Sequence, residues 1–426
     1  MKEKFSFPTP TDSFFYKKGK LTIDGVSLED LIEQFGSPLY VYSGKSIRTS
    51  YSRLKTALKG LPVHIHYAVK ANSNLHVLKL FQTLGSGCDL VSYGEWYRAQ
   101  KAGFPPEKRV LSGVAKNAKE LESILRHTQG GVYSIHVESV MEFDLIRVLA
   151  NALKREVRVA LRYNPDVEAK TLDKISTGRK QDKFGLTQEE ILDLVNFHHQ
   201  DKHIKISGLS MHIGSQITSL KPFDQAFKKL RNLSEIVEQN LHKKLDYVDL
   251  GGGIGIQYSN EKTIDLSLYA QIIQKHFKGF KKILVEPGRG MVANAGALVS
   301  QVVFSKDRSG NRTLILDSGM NDLVRPALYD AYHEILPLVQ SSNPLIAWDV
   351  VGGICESTDY FARARKLPLQ GLPGESLAIL SSGAYGFSMC SNYNSRPKLA
   401  EVMVDQGKTT LIRKRETLKD LVRGEA

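Results

Sequence analysis

Eight short runs of β-branched and apolar residues begin near Val63, Cys88, Arg109, Tyr133, Val157, Ile206, Leu245 and Lys282. Segments of helical periodicity lie between them, among them 74–84, 119–126, 140–153 and 223–239. Strands that alternate with helices call for a parallel sheet, because each crossover helix must cover a sheet face. Eight such repeats predict a closed (β/α)8, TIM-like barrel; an open doubly wound sheet is the alternative. Beyond about Met291 the texture changes. The runs 297–304, 312–316, 345–351, 377–380 and 409–414 are strand-like, with few long helical patterns between them. They predict a mainly antiparallel β domain. The opening stretch, with Leu21-Thr22-Ile23, is also strand-like and is expected to join it. The expected division is a barrel over 38–290 and a discontinuous β domain built from 1–37 and 291–426.

The bulk numbers exclude more than they select. A length of 426 residues suits roughly two to three domains. No apolar run reaches the ~18 residues needed to cross a membrane, and the start lacks a signal-peptide apolar core, so a cytoplasmic protein is expected. Three cysteines without zinc-site spacing (Cys88, Cys355, Cys390) argue against a disulfide framework or a metal site. The net charge of +13 lies in short clusters such as Lys228-Lys229, not in long basic runs with interleaved aromatics. That speaks for a solvated basic surface and against nucleic-acid binding.

The polar residues sit where a barrel would place chemistry. Catalytic groups of such barrels lie at the C-terminal strand ends. Lys70, in Tyr67-Ala68-Val69-Lys70-Ala71-Asn72, ends the first run. Most strand-end lysines simply reach solvent; the sharper alternative is a Schiff base with a carbonyl cofactor. Asp89 and Ser92 end the second run, Glu138 the fourth and Arg162 the fifth. His212-Ile213-Gly214-Ser215-Gln216 follows the sixth, Asp249-Leu250-Gly251-Gly252-Gly253 the seventh, and Glu286-Pro287-Gly288-Arg289 the eighth. The glycines let backbone amides approach an anion, and Gly288 with Arg289 offers further donors. A dinucleotide fingerprint fails on spacing, because Ile256 stands where its last glycine belongs. A carboxylate such as Glu286 beside an anion site makes sense facing a cationic ring nitrogen. The imidazole of His212 would then stack on that ring.

Together these elements resemble the fold-type III pyridoxal-phosphate decarboxylases, over nearly the whole chain. The resemblance implies pyridoxal 5'-phosphate held covalently by Lys70. It implies cofactor contacts from Asp89, Arg162, His212, Ser215, Gly252, Gly253, Glu286, Gly288, Arg289 and Tyr385. Within that superfamily the chain looks most like the diaminopimelate decarboxylases. The resemblance there rests on Tyr163-Asn164-Pro165-Asp166-Val167 leading to Lys183-Phe184-Gly185, on His212-Ile213-Gly214-Ser215-Gln216, on the run Gly319 to Tyr329 that holds Arg325-Pro326, and on Cys355-Glu356-Ser357. It implies decarboxylation of meso-2,6-diaminopimelate to L-lysine, with Arg289, Arg325, Tyr329, Glu356 and Tyr385 on the substrate. It also implies Cys355 as proton donor, reaching the partner's site in a homodimer. Arginine binds carboxylate by a fork that lysine cannot mimic, and ornithine has no distal carboxylate to occupy it. A decarboxylase acting on ornithine, arginine or carboxynorspermidine is the alternative. Alanine racemase shares the barrel, but it pairs the pyridine nitrogen with arginine where this chain has Glu286. Small departures from the pattern, Tyr93 and Gly353, touch no chemistry. The stretch 172–185, rich in lysine and arginine, is a candidate lid or a solvated loop.

Overall fold

The structure, a computed structural model, describes residues 13–127, 131–168, 178 and 181–425. Most of the candidate lid, 172–177 with Arg179 and Lys180, lies outside the described residues. The chain divides into two compact units. One comprises Tyr51–Gly255 and Thr263–Arg289; the other comprises Met1–Ser50, Ile256–Lys262 and Gly290–Ala426.

The first unit is the expected barrel. Its strands are β1 (Val63–Ala68), β2 (Gly87–Leu90), β3 (Arg109–Leu111), β4 (Ser134–Val137), β5 (Val157–Arg162), β6 (Ile204–Ser210), β7 (Tyr247–Asp249) and β8 (Ile283–Val285). Each pairs in parallel with its sequence neighbours, and β8 closes on β1 through Leu284 opposite His64. The helices between them start where polar caps dictate. Asn74, Ser92, Asn117, Ser139 and Thr187 each accept a hydrogen bond from a backbone N–H of the first turn. These caps fix where each crossover begins, and so how far each strand projects toward the rim. The longest helix, Lys221–Asn240, buries Phe223, Phe227, Leu230 and Val237 at the spacing of one helical face. Its Phe227 ring lies 5.7 Å from Phe277 and 6.0 Å from Tyr269 of the next helix. Burying each such side chain contributes about 1.5–3 kcal/mol.

The second unit is built on a nine-stranded sheet. The long strand Gly296–Arg308 is its spine, pairing antiparallel with Asn311–Leu316, Ser376–Ile379 and Leu39–Ser43. Most pairs are antiparallel, as expected. Two are parallel: Leu39–Ser43 with Ala400–Asp405, and Asn311–Leu316 with Ile346–Val351. The opening residues form their own small sheet, Phe14–Lys17, Lys20–Ile23 and Val26–Ser27. It is tied to the same unit where the Leu21 N–H donates to Leu338 O at 2.7 Å. Its Leu21 and Ile23 share one apolar core with Val41, Val299, Leu338 and Val402. No helix among the described residues is long and apolar enough to cross a membrane.

Candidate active site

At the rim, β1 ends at Ala68 and a single tight turn, Val69–Ala71, carries Lys70 outward. The Ala68 N–H donates to Pro287 O at 3.1 Å, fastening the ends of β1 and β8 together. The small residues around Lys70 have a packing cause: a Cβ on Gly288 would stand 3.1 Å from the Cβ atoms of both Ala68 and Ala71. The Lys70 ammonium lies 2.5 Å from Asp89 Oδ2, at the end of β2. Asp89 is fully buried. Burial alone would raise its carboxyl, but the Lys70 charge, helped by Ser112 and His136, holds it below the usual carboxylate value. A buried carboxylate paired this closely fixes the Lys70 nitrogen in place at the rim.

On the other side of β1 the balance reverses. Glu286, after β8, and Asp249, ending β7, are both buried, and among the described residues neither forms an ion pair with a lysine or arginine. His136, from the middle of β4, lies between them. Its Nε2 is 3.9 Å from Asp249 Oδ2, and its Nδ1 is 3.9 Å from Glu286 Oε1. Among the described residues those two carboxylate oxygens find no hydrogen-bond partner. Burial and the Asp249 charge push the Glu286 carboxyl well above its ordinary value, and burial pushes Asp249 up to about 7. His136 is held neutral, pushed down to about 3 mainly by burial. Its ring meets Ser112 Oγ at 3.2 Å and Tyr247 Oη at 3.3 Å. One ligand atom from each of His136, Asp249 and Glu286 lies within 4.8 Å of the others. With both carboxyls raised by burial, the cluster suits a shared proton. Both carboxyls are held above their ordinary values, and a cationic ring nitrogen beside them would favour the ionised form.

The anion end is built from β6, β7 and β8. The Gly252 N–H donates to His212 Nδ1 at 3.1 Å. That bond requires the neutral imidazole. The half-buried His212 is held so, pushed down to about 3 by burial and by the Lys70 and Arg162 charges. Arg289 is buried and donates through Nε and Nη2 to Ser215 Oγ at 3.2 and 3.0 Å. The glycines have a second reason to be glycine. A Cβ on Gly252 would lie 2.1 Å from Glu286 O, and one on Gly253, at φ +103°, would lie 2.6 Å from Gly214 O. Arg162 is buried against Glu138 in a short ion pair, with its guanidinium 4.9 Å over the Phe184 ring. Glu138 also accepts the Gly185 N–H at 3.0 Å, anchoring the end of the loop that returns to the rim.

An amine poised by a carboxylate, a buried acid pair with unpartnered oxygens, and an arginine–serine–glycine edge suit pyridoxal phosphate. Lys70 would take the aldehyde, Glu286 the ring nitrogen, and the edge the phosphate.

The remaining predicted residues lie in the second unit. Arg325 opens the short helix Arg325–Tyr329, with half-buried Tyr329 one turn later. The Arg325 guanidinium is buried and lies 4.7 Å over the Tyr258 ring. Its Nη1 is 2.7 Å from His333 Nε2. Cys355 and Glu356 are exposed on the loop after Ile346–Val351. The Cys355 N–H donates to Asn394 Oδ1 at 2.8 Å, and Tyr393 Oη donates to Glu356 Oε2 at 3.2 Å. Tyr385 is half-buried at φ +55°, a left-handed backbone uncommon for tyrosine and held by its surroundings.

Sequence reasoning did not find His136, Asp249 as a proton partner, the Glu138–Arg162 pair, or His333. For His136 the only local cue was a polar residue inside the apolar run Ile135-His136-Val137.

Comparison with known proteins places this geometry. Residues 44–293 match the family described as "Pyridoxal-dependent decarboxylase, pyridoxal binding domain". The chain is 42% identical over 409 residues to a diaminopimelate decarboxylase of Aquifex aeolicus, covering 96% of each protein. It is 41% identical over 418 residues to one of Zymomonas mobilis, covering 97% of this chain and 98% of that one. Among solved structures, the diaminopimelate decarboxylase from Helicobacter pylori complexed with L-lysine superposes with a TM-score of 0.88 at 41% identity, covering 93% of this chain and 98% of that one.

Proposed function

Because the chain belongs to the pyridoxal-dependent decarboxylase family, we propose that it removes one carboxylate of meso-2,6-diaminopimelate, at the D-configured centre, and leaves L-lysine. This would be the last step of lysine biosynthesis. The observation that carries the substrate choice is Arg325, a buried guanidinium held in place by His333 and Tyr258. A fixed fork of this kind suits the carboxylate at the far end of diaminopimelate; ornithine has no carboxylate at that end. Tyr329 and Tyr385 complete that end, and Glu356 pairs with the distal ammonium.

Pyridoxal phosphate supplies the electron-accepting ring that makes loss of carbon dioxide feasible. The chain supplies the rest. Lys70 binds the cofactor and releases the product, and Asp89 orients its amine. Glu286 holds a proton at the ring nitrogen, and His212 covers the ring face. Ser215, Gly252, Gly253, Gly288 and Arg289 take the phosphate, and Arg162 braces the rim. Cys355 delivers a proton to the α-carbon.

We further infer a cytoplasmic homodimer in which the exposed Cys355 and Glu356 serve the partner's site. The division of labour is a barrel (38–290) for the cofactor and a discontinuous β domain (1–37, 291–426) for substrate and dimer contacts. Incubation with pyridoxal phosphate and, separately, meso-diaminopimelate, ornithine and arginine tests this. Carbon dioxide release from diaminopimelate alone, with lysine formed, is the expected result. Release only from ornithine or arginine would overturn the assignment of Arg325.

A further inference from the structure

Asp359 stands at the foot of the loop that presents Cys355 and Glu356, just before the strand Tyr360–Leu367. The loop is closed at its neck, where the Gly352 N–H donates to Asp359 O at 3.2 Å. Inside it the Glu356 N–H donates to Ile354 O at 2.8 Å, and the Asp359 N–H to Glu356 O at 3.1 Å. Cys355 and Glu356 are exposed, whereas Asp359 is buried. A carboxylate buried in this way needs partners for its oxygens. It takes them from two different segments. Oδ2 accepts the Ile354 N–H, inside the loop, at 2.8 Å. Oδ1 accepts the Met320 N–H at 2.6 Å, and Met320 lies in the run that leads to Arg325.

The packing around this carboxylate has no slack. A Cβ on Gly352 would stand 2.5 and 2.6 Å from its two oxygens and 2.4 Å from Gly319 Cα. One on Gly319 would stand 2.8 Å from Ile354 Cγ1. The Gly353 N–H donates to Ser318 O at 3.1 Å, a second tie between the same two segments. From Met320 the connection to Arg325 is short and closed. Gly319 O accepts the Asp322 and Leu323 N–H groups at 2.9 and 3.1 Å, and Asp322 Oδ2 accepts the Gly319 N–H at 3.0 Å. This turn leads into the helix Arg325–Tyr329. On the loop side Cys355 follows Ile354 directly, and its own N–H is tied to Asn394. Serine or asparagine could cap the loop alone, since one acceptor suffices for one N–H. Joining N–H groups of two segments takes an acceptor at each tip, and at this length only a carboxylate offers both.

We propose that Asp359 is a positioning residue that couples the loop bearing Cys355 to the run bearing Arg325, so that one carboxylate sets both proton delivery and distal-carboxylate binding. This rests on the readings of Cys355 and Arg325 given above, but the coupling is testable without substrate. Hydrogen–deuterium exchange of the pyridoxal-phosphate-loaded protein is followed by mass spectrometry for wild type, Asp359→Ala and Asp359→Asn. In Asp359→Ala, peptides covering Met320 and Ile354 should both exchange faster, by about 10–100-fold at the freed amides, the scale of a lost hydrogen bond to a charged group, with barrel peptides unchanged. Asp359→Asn keeps the shape and one acceptor oxygen, so it should release only one of the two amides.

In turnover, Asp359→Ala should lower kcat and raise KM for diaminopimelate together, each by about tenfold. With Cys355→Ala in place it should still raise KM but no longer lower kcat. With Arg325→Ala in place it should still lower kcat but no longer raise KM. A residue that only stiffens the fold would act equally in every background. Exchange that quickens in the loop alone, or kinetic losses that are the same in all three backgrounds, overturns the inference. If Cys355→Ala or Arg325→Ala spares both constants by itself, the earlier reading of that residue fails first, and the exchange result tells the two failures apart.

Discussion

Two carboxyls flank the strand that carries Lys70, and the fold treats them in opposite ways. Asp89 ends β2 and Glu286 follows β8, and both of those strands pair with β1. Both carboxyls are buried. Asp89 has an ammonium at 2.5 Å and is held ionised. Glu286 has a second acid and a neutral histidine, and is held protonated. Burial raises both; the sign of the nearest charge decides the outcome. One side of the rim is thus matched by a cation of the chain. The other sets two acids against a neutral imidazole.

The sharpest way to break this contrast is Lys70→Ala. Asp89 should then behave as Glu286 does, with its carboxyl raised, and decarboxylation should fall by on the order of 10⁴-fold. Borohydride trapping of the cofactor should fail along with it. Next in size is Glu286→Gln, which keeps the shape but cannot hold the ring proton as an ion pair. Turnover should drop by about 10²-fold or more, read as kcat for carbon dioxide release, with the Lys70–Asp89 side unchanged.

The third effect concerns stability in the cofactor-free protein. Glu286 and Asp249 both have raised folded-state values. Their contribution is full below the ordinary carboxylate range. It is lost as pH rises through the folded values, about 7 for Asp249. The acid pair should therefore contribute on the order of 2 kcal/mol less at pH 8 than at pH 5, read by urea unfolding as the difference between the wild-type and Glu286→Gln pH profiles. Parallel profiles for the two proteins would mean the acids are not coupled.

The smallest effect runs the other way with pH. His66, His136 and His212 are each pushed down to about 3 by burial. Neutral burial contributes stability that is present above the unfolded value of 6.5 and lost as pH falls toward 3. Each should cost on the order of 1–2 kcal/mol at pH 5. Replacing His66, whose ring packs where a Cβ on Gly87 would stand at 2.3 Å, by glutamine should remove about a third of the acid slope in circular-dichroism melts.

The barrel was legible in the sequence because its signal is local. Each strand is a short apolar run followed by a helix with its own polar cap, and the polar strand ends fell on one rim. The β unit was less legible because its partners are distant. Leu39–Ser43 pairs with Gly296–Arg308 and with Ala400–Asp405, and no local period announces such neighbours. The strands Tyr360–Leu367 and Ala400–Asp405 were not among the expected runs. The first carries Arg363, Arg365 and Lys366 within it, which masks the apolar alternation. Within the site, side chains with their own motif stood out, whereas those acting through a neighbour did not. His136 and His333 look like ordinary core histidines until the groups they face are in place.

The close packing of Gly252 on the backbone oxygen of Glu286 has an evolutionary consequence. The loop expected to grip phosphate and the acid expected to govern the ring nitrogen share one contact with no slack. A side chain added at the first would shift the second. Affinity and reactivity toward the cofactor are therefore not independent traits in this lineage. Selection or engineering that seeks to adjust one must carry the other along.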